Sequence, residues 1–416
     1  LLADCAYVDF DWLEERLRQY KRESTAEIEA VDLEPAPIIR LPQTPDERQQ
    51  EAAARERGEA ALREGRLAAC IVAGGQGTRL GFDGPKGAYP IGPVSDRTLF
   101  RWHAEQILAR GRRHGVSIPW YVMTSRTNDE ATRAYFAEHG FFGMDEGDVW
   151  FFQQGMVPSI DAEGKLILAD KHRLALNPDG HGGVLAALVK SGAIDDMRSR
   201  GVDTISYFQV DNPLVTICDP VFAGYHLAEG AKFSSKILEK AAPEEKVGHI
   251  CLCGGKLQVI EYSDMDFEQM HARDADGRLR FWAGSIAIHM LDVAFVAQVG
   301  GQARLPWHIA RKKIPYFDGK HVVRPDKLNG IKFETFVFDA LPLSPSSVTM
   351  EVEREEEFAP VKNPAGVDSG ETCCQLMSDR FARWLEACGV EVARDAEGHA
   401  KARIEISPLY ALDRKS

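Results

Sequence analysis

The sequence predicts an α/β protein: an open, mostly parallel sheet with helices on both faces, a helical N-terminal segment and a small C-terminal appendage. Three observations predict it. Short apolar runs alternate with helical patterns from residue 66 onward, as strand–helix–strand units do. The clearest run, Leu67-Ala-Ala-Cys-Ile-Val-Ala73, is apolar throughout and ends in glycines, like a strand buried on both faces. The 416 residues, at roughly 100–200 per domain, allow two or three domains or one large domain with appendages.

The elements follow in order. Residues 9–20 place Phe10, Leu13, Leu17 and Tyr20 on one helical face. Pro35, Pro37, Pro42 and Pro45 then break the chain into a linker. Residues 46–64 read as a strongly charged helix with a solvated face, stopped by Gly65. Residues 67–73 form the first strand, 99–112 a helix, 120–124 a strand, 129–139 a helix and 149–153 a strand. A helix over 184–191 and a strand over 204–210 ending on Asp211 complete the alternation. Residues 257–262 and 333–338 alternate more, as strands with one polar face. Residues 359–366, Ala-Pro-Val-Lys-Asn-Pro-Ala-Gly, read as a linker before a helix over 373–387 and a short tail. The boundaries expected are a helical segment over 1–65, a central domain over 66–358 and a small region over 359–416.

Composition narrows the function classes. The chain carries 50 Lys+Arg against 63 Asp+Glu, a formal charge of −13. That excess acid argues against a nucleic-acid binder, which needs a basic footprint. It leaves room for one small anionic ligand held by a local cluster of cations. No stretch reaches the roughly 18–20 apolar residues of a membrane span, and Leu1-Leu2-Ala3-Asp4-Cys5 lacks the basic region of a signal peptide. The eight cysteines are scattered and form no CxxC pair, so structural zinc is not expected and a reducing cytoplasm is.

The most informative segment is Ala73-Gly-Gly-Gln-Gly-Thr-Arg-Leu-Gly81, followed by Pro85-Lys86-Gly87. It follows a strand at the edge where open α/β sheets bind ligands. Gly74, Gly75 and Gly77 allow positive φ and bring backbone N–H groups close to phosphate oxygens. Arg79 adds a planar donor fork and Lys86 a point charge. Two common glycine motifs fail. The dinucleotide pattern GxGxxG needs a third glycine where Leu80 stands, and the P-loop needs Ser or Thr where Gly87 stands.

This loop with its Pro-Lys-Gly resembles the nucleotide loop of the eukaryotic-type UDP-sugar pyrophosphorylases, and among them the UDP-N-acetylhexosamine enzymes most. The likeness continues through Phe151-Phe-Gln-Gln-Gly-Met-Val-Pro158, Pro178-Asp-Gly-His-Gly-Gly183, Val210-Asp211-Asn212 and Ala283-Gly-Ser-Ile-Ala-Ile-His289. It extends to Arg324-Pro-Asp-Lys-Leu-Asn-Gly-Ile-Lys-Phe-Glu334 and Glu356-Glu-Phe-Ala-Pro-Val-Lys-Asn363. The resemblance implies a Rossmann-like nucleotidyltransferase sheet. It also implies the reaction of UTP with a sugar 1-phosphate, most of all N-acetylglucosamine 1-phosphate, to give a UDP-sugar and pyrophosphate.

That chemistry needs positioning and charge neutralisation more than a protein nucleophile. By resemblance, Arg79, Lys86, Lys332 and Lys362 brace the phosphates. Gly74, Gly75, Gly77, Gln154 and Gly180 read the uracil and its nucleotide, a Gln amide offering both donor and acceptor. Asp211 ends a buried strand and is the expected ligand of Mg²⁺. His181, Glu261, Gly284 and Ser285 face the sugar, and Met123 and Thr124 form pocket wall. Two sugar-side residues depart from the acetylhexosamine pattern: His181 and Ser285 each stand where Asn is usual. A UDP-glucose or broad UDP-sugar pyrophosphorylase is therefore the alternative, with a non-catalytic UDP-sugar-binding protein behind it. Either way, a positive cleft must sit in a negative protein, with acid placed elsewhere, as in Glu351, Glu353, Glu355, Glu356 and Glu357.

Overall fold

The computed structural model describes residues 1–6, 8–23, 33–302 and 305–414. Among these, ten strands form the central sheet: Leu33–Pro35 (β1), Leu67–Val72 (β2), Trp120–Thr124 (β3), Val149–Gln153 (β4), Thr204–Gln209 (β5), Phe233–Glu239 (β6), Gly248–Cys253 (β7), Lys256–Ile260 (β8), Ala283–Asp292 (β9) and Thr349–Glu351 (β10). The path runs β1-β7-β9-β5-β2-β3-β4. β5, β2, β3 and β4 pair in parallel, with Thr204 opposite Leu67 and Trp120 opposite Val149. β9 then turns the sheet antiparallel. Its C-terminal half pairs with β5, its N-terminal half with β7, and β6 runs along it as well.

Alternation across β2 and β3 explains why the parallel strands are apolar on both faces. Leu67, Ala69, Ile71, Trp120 and Val122 enter one core, and Ala68, Cys70, Tyr121 and Met123 the other. The longer helices are Phe10–Glu23 (α1), Pro45–Arg63 (α2), Leu99–His114 (α3), Asp129–Glu138 (α4), Gly183–Lys190 (α5), Ala193–Ser199 (α6), Pro220–Ala228 (α7), Val293–Gln302 (α8) and Gly370–Ala387 (α9). α2, α3, α4, α7 and α9 pack on the first core, α5, α6 and α8 on the second.

The charged helix α2 starts at a capping box, Thr44 with Glu47, and Pro45 occupies its first turn. It is not solvated all round: Ala54, Gly58, Ala61 and Leu62 form a small-residue stripe buried against α7. α1 forms over the expected span. Leu13 is buried beside Ile160, Ile331 and Phe333, and Trp12 lies edge-on to Trp307 with ring centroids 4.7 Å apart. Phe10, expected on the same face, is instead 52% exposed, and the Tyr20 side chain lies outside the described residues.

Residues 333–338 do not make one strand. Gly330–Glu334 pairs with His308–Lys312 and Ile160–Asp161 in a separate three-stranded sheet. The chain then turns into Val337–Leu343, because Asp339 Oδ2 accepts the Phe336 N–H at 2.9 Å and caps the turn. α9 begins at Gly370, capped by Ser369, and inserts Met377 and Phe381 into the first core.

Candidate active site

The four parallel strands end on one edge, and the segments after them build the site. β2 runs into the glycine loop, β3 into Ser125, β4 into Gln154 and β5 into Asp211 and Asn212. The loop folds back on itself: the Lys86 N–H donates to Gly75 O at 3.1 Å and the Gly77 N–H to Gly84 O at 2.9 Å. Gly77–Leu80 makes one 3-10 turn, which Gly81 closes at φ 71°, a conformation that favours glycine. A Cβ on Gly74 would stand 2.5 Å from Gln154 Nε2, so only glycine lets that amide lie against the loop.

Buried Ser125 and Asn128 hold the loop by its carbonyls. Ser125 Oγ donates to Gly74 O at 2.7 Å, and Asn128 Nδ2 donates to Ala73 O at 2.8 Å and Gly75 O at 3.1 Å. Among the described residues no acceptor takes the Gly74 or Gly75 N–H. Successive backbone donors of this kind are able to hold an anion. Ser125 and Asn128 escape sequence reasoning, although a polar Ser-x-x-Asn run directly after a buried strand is the signal that marks them. Met123 and Thr124, expected as pocket wall, are core instead. Met123 packs in the second core, and Thr124 Oγ1 donates to Asp129 Oδ1 at 2.5 Å and lies 3.2 Å from Phe152 O.

Arg79 is exposed and forms no ion pair among the described residues. Lys86 Nζ donates to Asp211 Oδ2 at 3.0 Å. Burial pushes the Asp211 carboxyl up, but Lys86 and Lys362 beside it outweigh burial and hold it below the usual carboxylate range. Lys362 is brought there by a set of backbone anchors. The Val361 N–H donates to Asp211 O at 2.9 Å. Asn212 Nδ2 donates to Glu357 O at 2.7 Å, and Asn212 Oδ1 accepts the Ala359 N–H at 3.0 Å. Residues 359–366 are thus no free linker: Ala359 and Val361 are buried, and the segment walls the site. Its prolines remove backbone donors, and the Asn212 side chain supplies the missing pairing.

His181, Asp211, Glu261, Ser285 and Lys362, distant in sequence, line one cavity of about 150 Å³. Burial pulls the His181 imidazole down to about 4, helped by His308, so the ring is neutral at pH 7. Its Nδ1 accepts the Val337 N–H at 3.2 Å, which leaves the proton on Nε2. The ring stacks on Phe336 at 5.2 Å. Burial and Asp264 push the Glu261 carboxyl above its usual range, against His308 and Lys362. Ser285 lies beside a bulge: Ile237 pairs with Ser285 but Ser235 with His289. Within that bulge Ala287 adopts φ 55° and lines the cavity. A non-glycine residue strained there costs stability and clusters at functional sites. Ala287 and Lys246, which also lines the cavity, were not foreseen; no local pattern marks either.

The remaining expected residues lie around this centre. Gly284 packs rather than lines: a Cβ there would stand 2.9 Å from Val247 Cγ2. Gly180 turns at φ 87° against the backbone of Thr335. Lys332 sits on the small sheet, where Glu334 and Lys312 are its charged neighbours and burial lowers its ammonium pKa; it does not line the cavity.

Asp179, beside Gly180, was also missed. Burial raises its carboxyl to about 6, and Oδ1 has no hydrogen-bond partner among the described residues. A carboxyl raised in the fold binds its proton more tightly folded than unfolded, so stability declines as pH rises from about 4 to about 6. Asp179→Asn is expected to flatten that decline and to add on the order of 1–3 kcal/mol above pH 6. Thermal melts across this range check it; an unchanged pH slope overturns it.

The comparisons with known proteins agree with this architecture. A family model described as UTP–glucose-1-phosphate uridylyltransferase matches residues 13–394. A UDP-N-acetylhexosamine pyrophosphorylase-like protein 1 of Xenopus tropicalis is 39% identical over 373 residues, covering 84% of this chain and 73% of that protein. UDP-N-acetylglucosamine diphosphorylase 1 of Arabidopsis thaliana is 40% identical over 363 residues, covering 83% and 70%. The crystal structure of the uridine diphosphate N-acetylglucosamine pyrophosphorylase of Trypanosoma brucei superposes with a TM-score of 0.86 at 29% identity, covering 99% of this chain and 86% of that one. With its glycine loop, its Lys86–Asp211 pair and its match over nearly the whole length, this chain belongs to the UTP–glucose-1-phosphate uridylyltransferase (UDPGP) family.

Proposed function

We propose that this protein transfers a uridylyl group from UTP to N-acetylglucosamine 1-phosphate, releasing pyrophosphate and forming UDP-N-acetylglucosamine. One observation carries the reading: Lys86, which closes the glycine loop, pairs with Asp211, and that carboxylate opens on a cavity shared by Lys362, Glu261, His181 and Ser285. The glycine-loop amides and Arg79 hold the β- and γ-phosphates. Lys86 and Lys362 neutralise charge at the α-phosphate. A sugar-phosphate oxygen attacks the α-phosphorus in line, the bond to the β-phosphate oxygen breaks, and pyrophosphate leaves. Glu261 accepts from sugar hydroxyls, and the His181 Nε2–H donates. Gln154, against Gly74, and the turn at Gly180 take the uracil.

Mg²⁺ fits the donors present as an ion shared with substrate. Among the described residues no group of three or more His, Cys, Asp or Glu side chains could hold a metal. One ionised carboxylate, Asp211, with substrate phosphates is the usual set for this hard cation. The ion would supply charge neutralisation on the phosphates. Lys332 enters the proposal as an outer cation whose strand leads to Thr335, which packs against the Gly180 turn. We place the protein in the cytoplasm: the eight cysteines are free and no described helix is long and apolar enough to cross a membrane.

Pyrophosphate release from UTP and Mg²⁺ with a panel of sugar 1-phosphates tests the reading. N-acetylglucosamine 1-phosphate is expected to give the highest kcat/KM; no release with any sugar overturns it. His181 and Ser285 favour a second reading, in which glucose 1-phosphate is used too. Ser285→Asn restores an amide at the cavity wall and is expected to raise preference for the N-acetylated sugar by about tenfold. An unchanged ranking removes Ser285 as the discriminator.

A further inference from the structure

A second cavity, of about 300 Å³, lies between the segment after β1, α7, β10 and α9, and has no part in the reaction described above. We infer that it binds a small organic anion, a carboxylate or phosphate monoester on an apolar body, with its charged end on Arg110.

Arg110 projects from α3 and is 3% exposed. Its Nε has no hydrogen-bond partner, and no carboxylate lies within ion-pair distance of it among the described residues. Asp219 and Asp413 act on it from beyond ion-pair distance, but the neighbouring carboxylates are held by other cations. Lys236 holds Asp219 at 2.7 Å and Glu357 at 2.6 Å. Arg380 holds Glu356 at 3.1 Å, and Arg40 holds Glu351 at 2.7 Å. A guanidinium stays protonated even when buried, and a buried cation without a bound partner is costly. An anion entering the cavity would meet Arg110, a buried cation without an ion-pair partner among the described residues. Val221, Tyr225, Met350, Val352 and Trp384 make an apolar part of the wall, beside a charged rim that includes Glu51, Arg55 and Glu353; the apolar part suits a hydrocarbon or aromatic body. The volume sits at the small end of ligand pockets.

The walls are shared with the active site. On α3, Trp102 and Gln106 donate to Pro213 O at 3.1 and 3.0 Å, and His103 Nε2 lies 3.1 Å from Val210 O, on either side of Asp211. Glu357, in the wall of this cavity, accepts from Asn212 and precedes the segment that carries Lys362. An occupant would therefore bear on the two segments that carry Asp211 and Lys362 without overlapping UTP.

Phenyl phosphate, titrated calorimetrically into the full chain saturated with UTP and Mg²⁺, tests the inference. Saturable binding in the millimolar range or tighter is expected. Arg110→Met should weaken it at least about tenfold while leaving UTP affinity unchanged. If that variant fails to fold by near-UV circular dichroism, Arg55→Glu at the half-exposed rim must weaken binding instead. The inference is overturned by unchanged affinity in the folded variant. It is equally overturned if neither phenyl phosphate, benzoate nor inorganic phosphate binds the UTP-saturated protein.

Discussion

Arg79→Met is expected to lower kcat by about 10²–10³-fold, the loss typical when one preorganised donor to developing charge is removed. The argument is geometric. Arg79 is exposed and has no partner among the described residues. It contributes nothing to packing, so its removal should leave the melting temperature within about 0.5 kcal/mol equivalent of the parent, as for other surface changes. Its only claim on function is the fork it offers beside the free Gly74 and Gly75 amides. Steady-state pyrophosphate release at saturating UTP, with a thermal melt beside it, separates the two effects. A kcat within about threefold of the parent would remove Arg79 from the charge-stabilising role given it here.

Asp211→Asn has a second signature because Asp211 is tied at both ends. Its carboxylate faces Lys86 at 3.0 Å and feels Lys362, and its carbonyl anchors Val361. The amide keeps the size but leaves two cations without their counter-charge. We expect a kcat loss of about 10²-fold or more. The stability loss should reach about 3 kcal/mol at neutral pH. The sign of the pH dependence follows from the depressed carboxyl. The stabilisation is present above the ordinary carboxylate range and is lost as pH falls through the lowered folded value. The variant should therefore differ most from the parent at neutral pH and converge with it in acid. Mg²⁺ should also strengthen UTP binding less in the variant. Equal gains from Mg²⁺ in both proteins would take the metal away from Asp211.

These two residues were legible because each carries a local signature. Arg79 lies in a glycine loop directly after an apolar run, and Asp211 caps another. Lys362 was legible only through its resemblance to a family motif, and its surroundings were misread. A Pro-rich stretch has few backbone donors and looks like a linker, yet Asn212, about 150 residues earlier, supplies its pairing. Ser125 and Asn128 are marked only by a polar Ser-x-x-Asn run after a buried strand, and Asp179, Lys246 and Ala287 carry no local mark. Ala287 is an ordinary residue in an apolar strand, and its positive φ exists only because β9 bulges against β6. The acid of 351–357 was expected away from the site, yet Glu351 and Glu357 are buried against Arg40 and Lys236, and Glu357 O accepts from Asn212 beside Asp211.

The sequence by itself determined the parallel half of the sheet, its helices and the glycine loop. Their signals are short-range: apolar runs, helical spacing and glycine punctuation are properties of neighbouring residues. Tertiary structure alone decided which distant side chains share a cavity, that Lys86 pairs with Asp211, and that Arg110 is buried without an ion-pair partner among the described residues. Those facts depend on long-range contacts and on the desolvation they impose. Only the folded chain sets either.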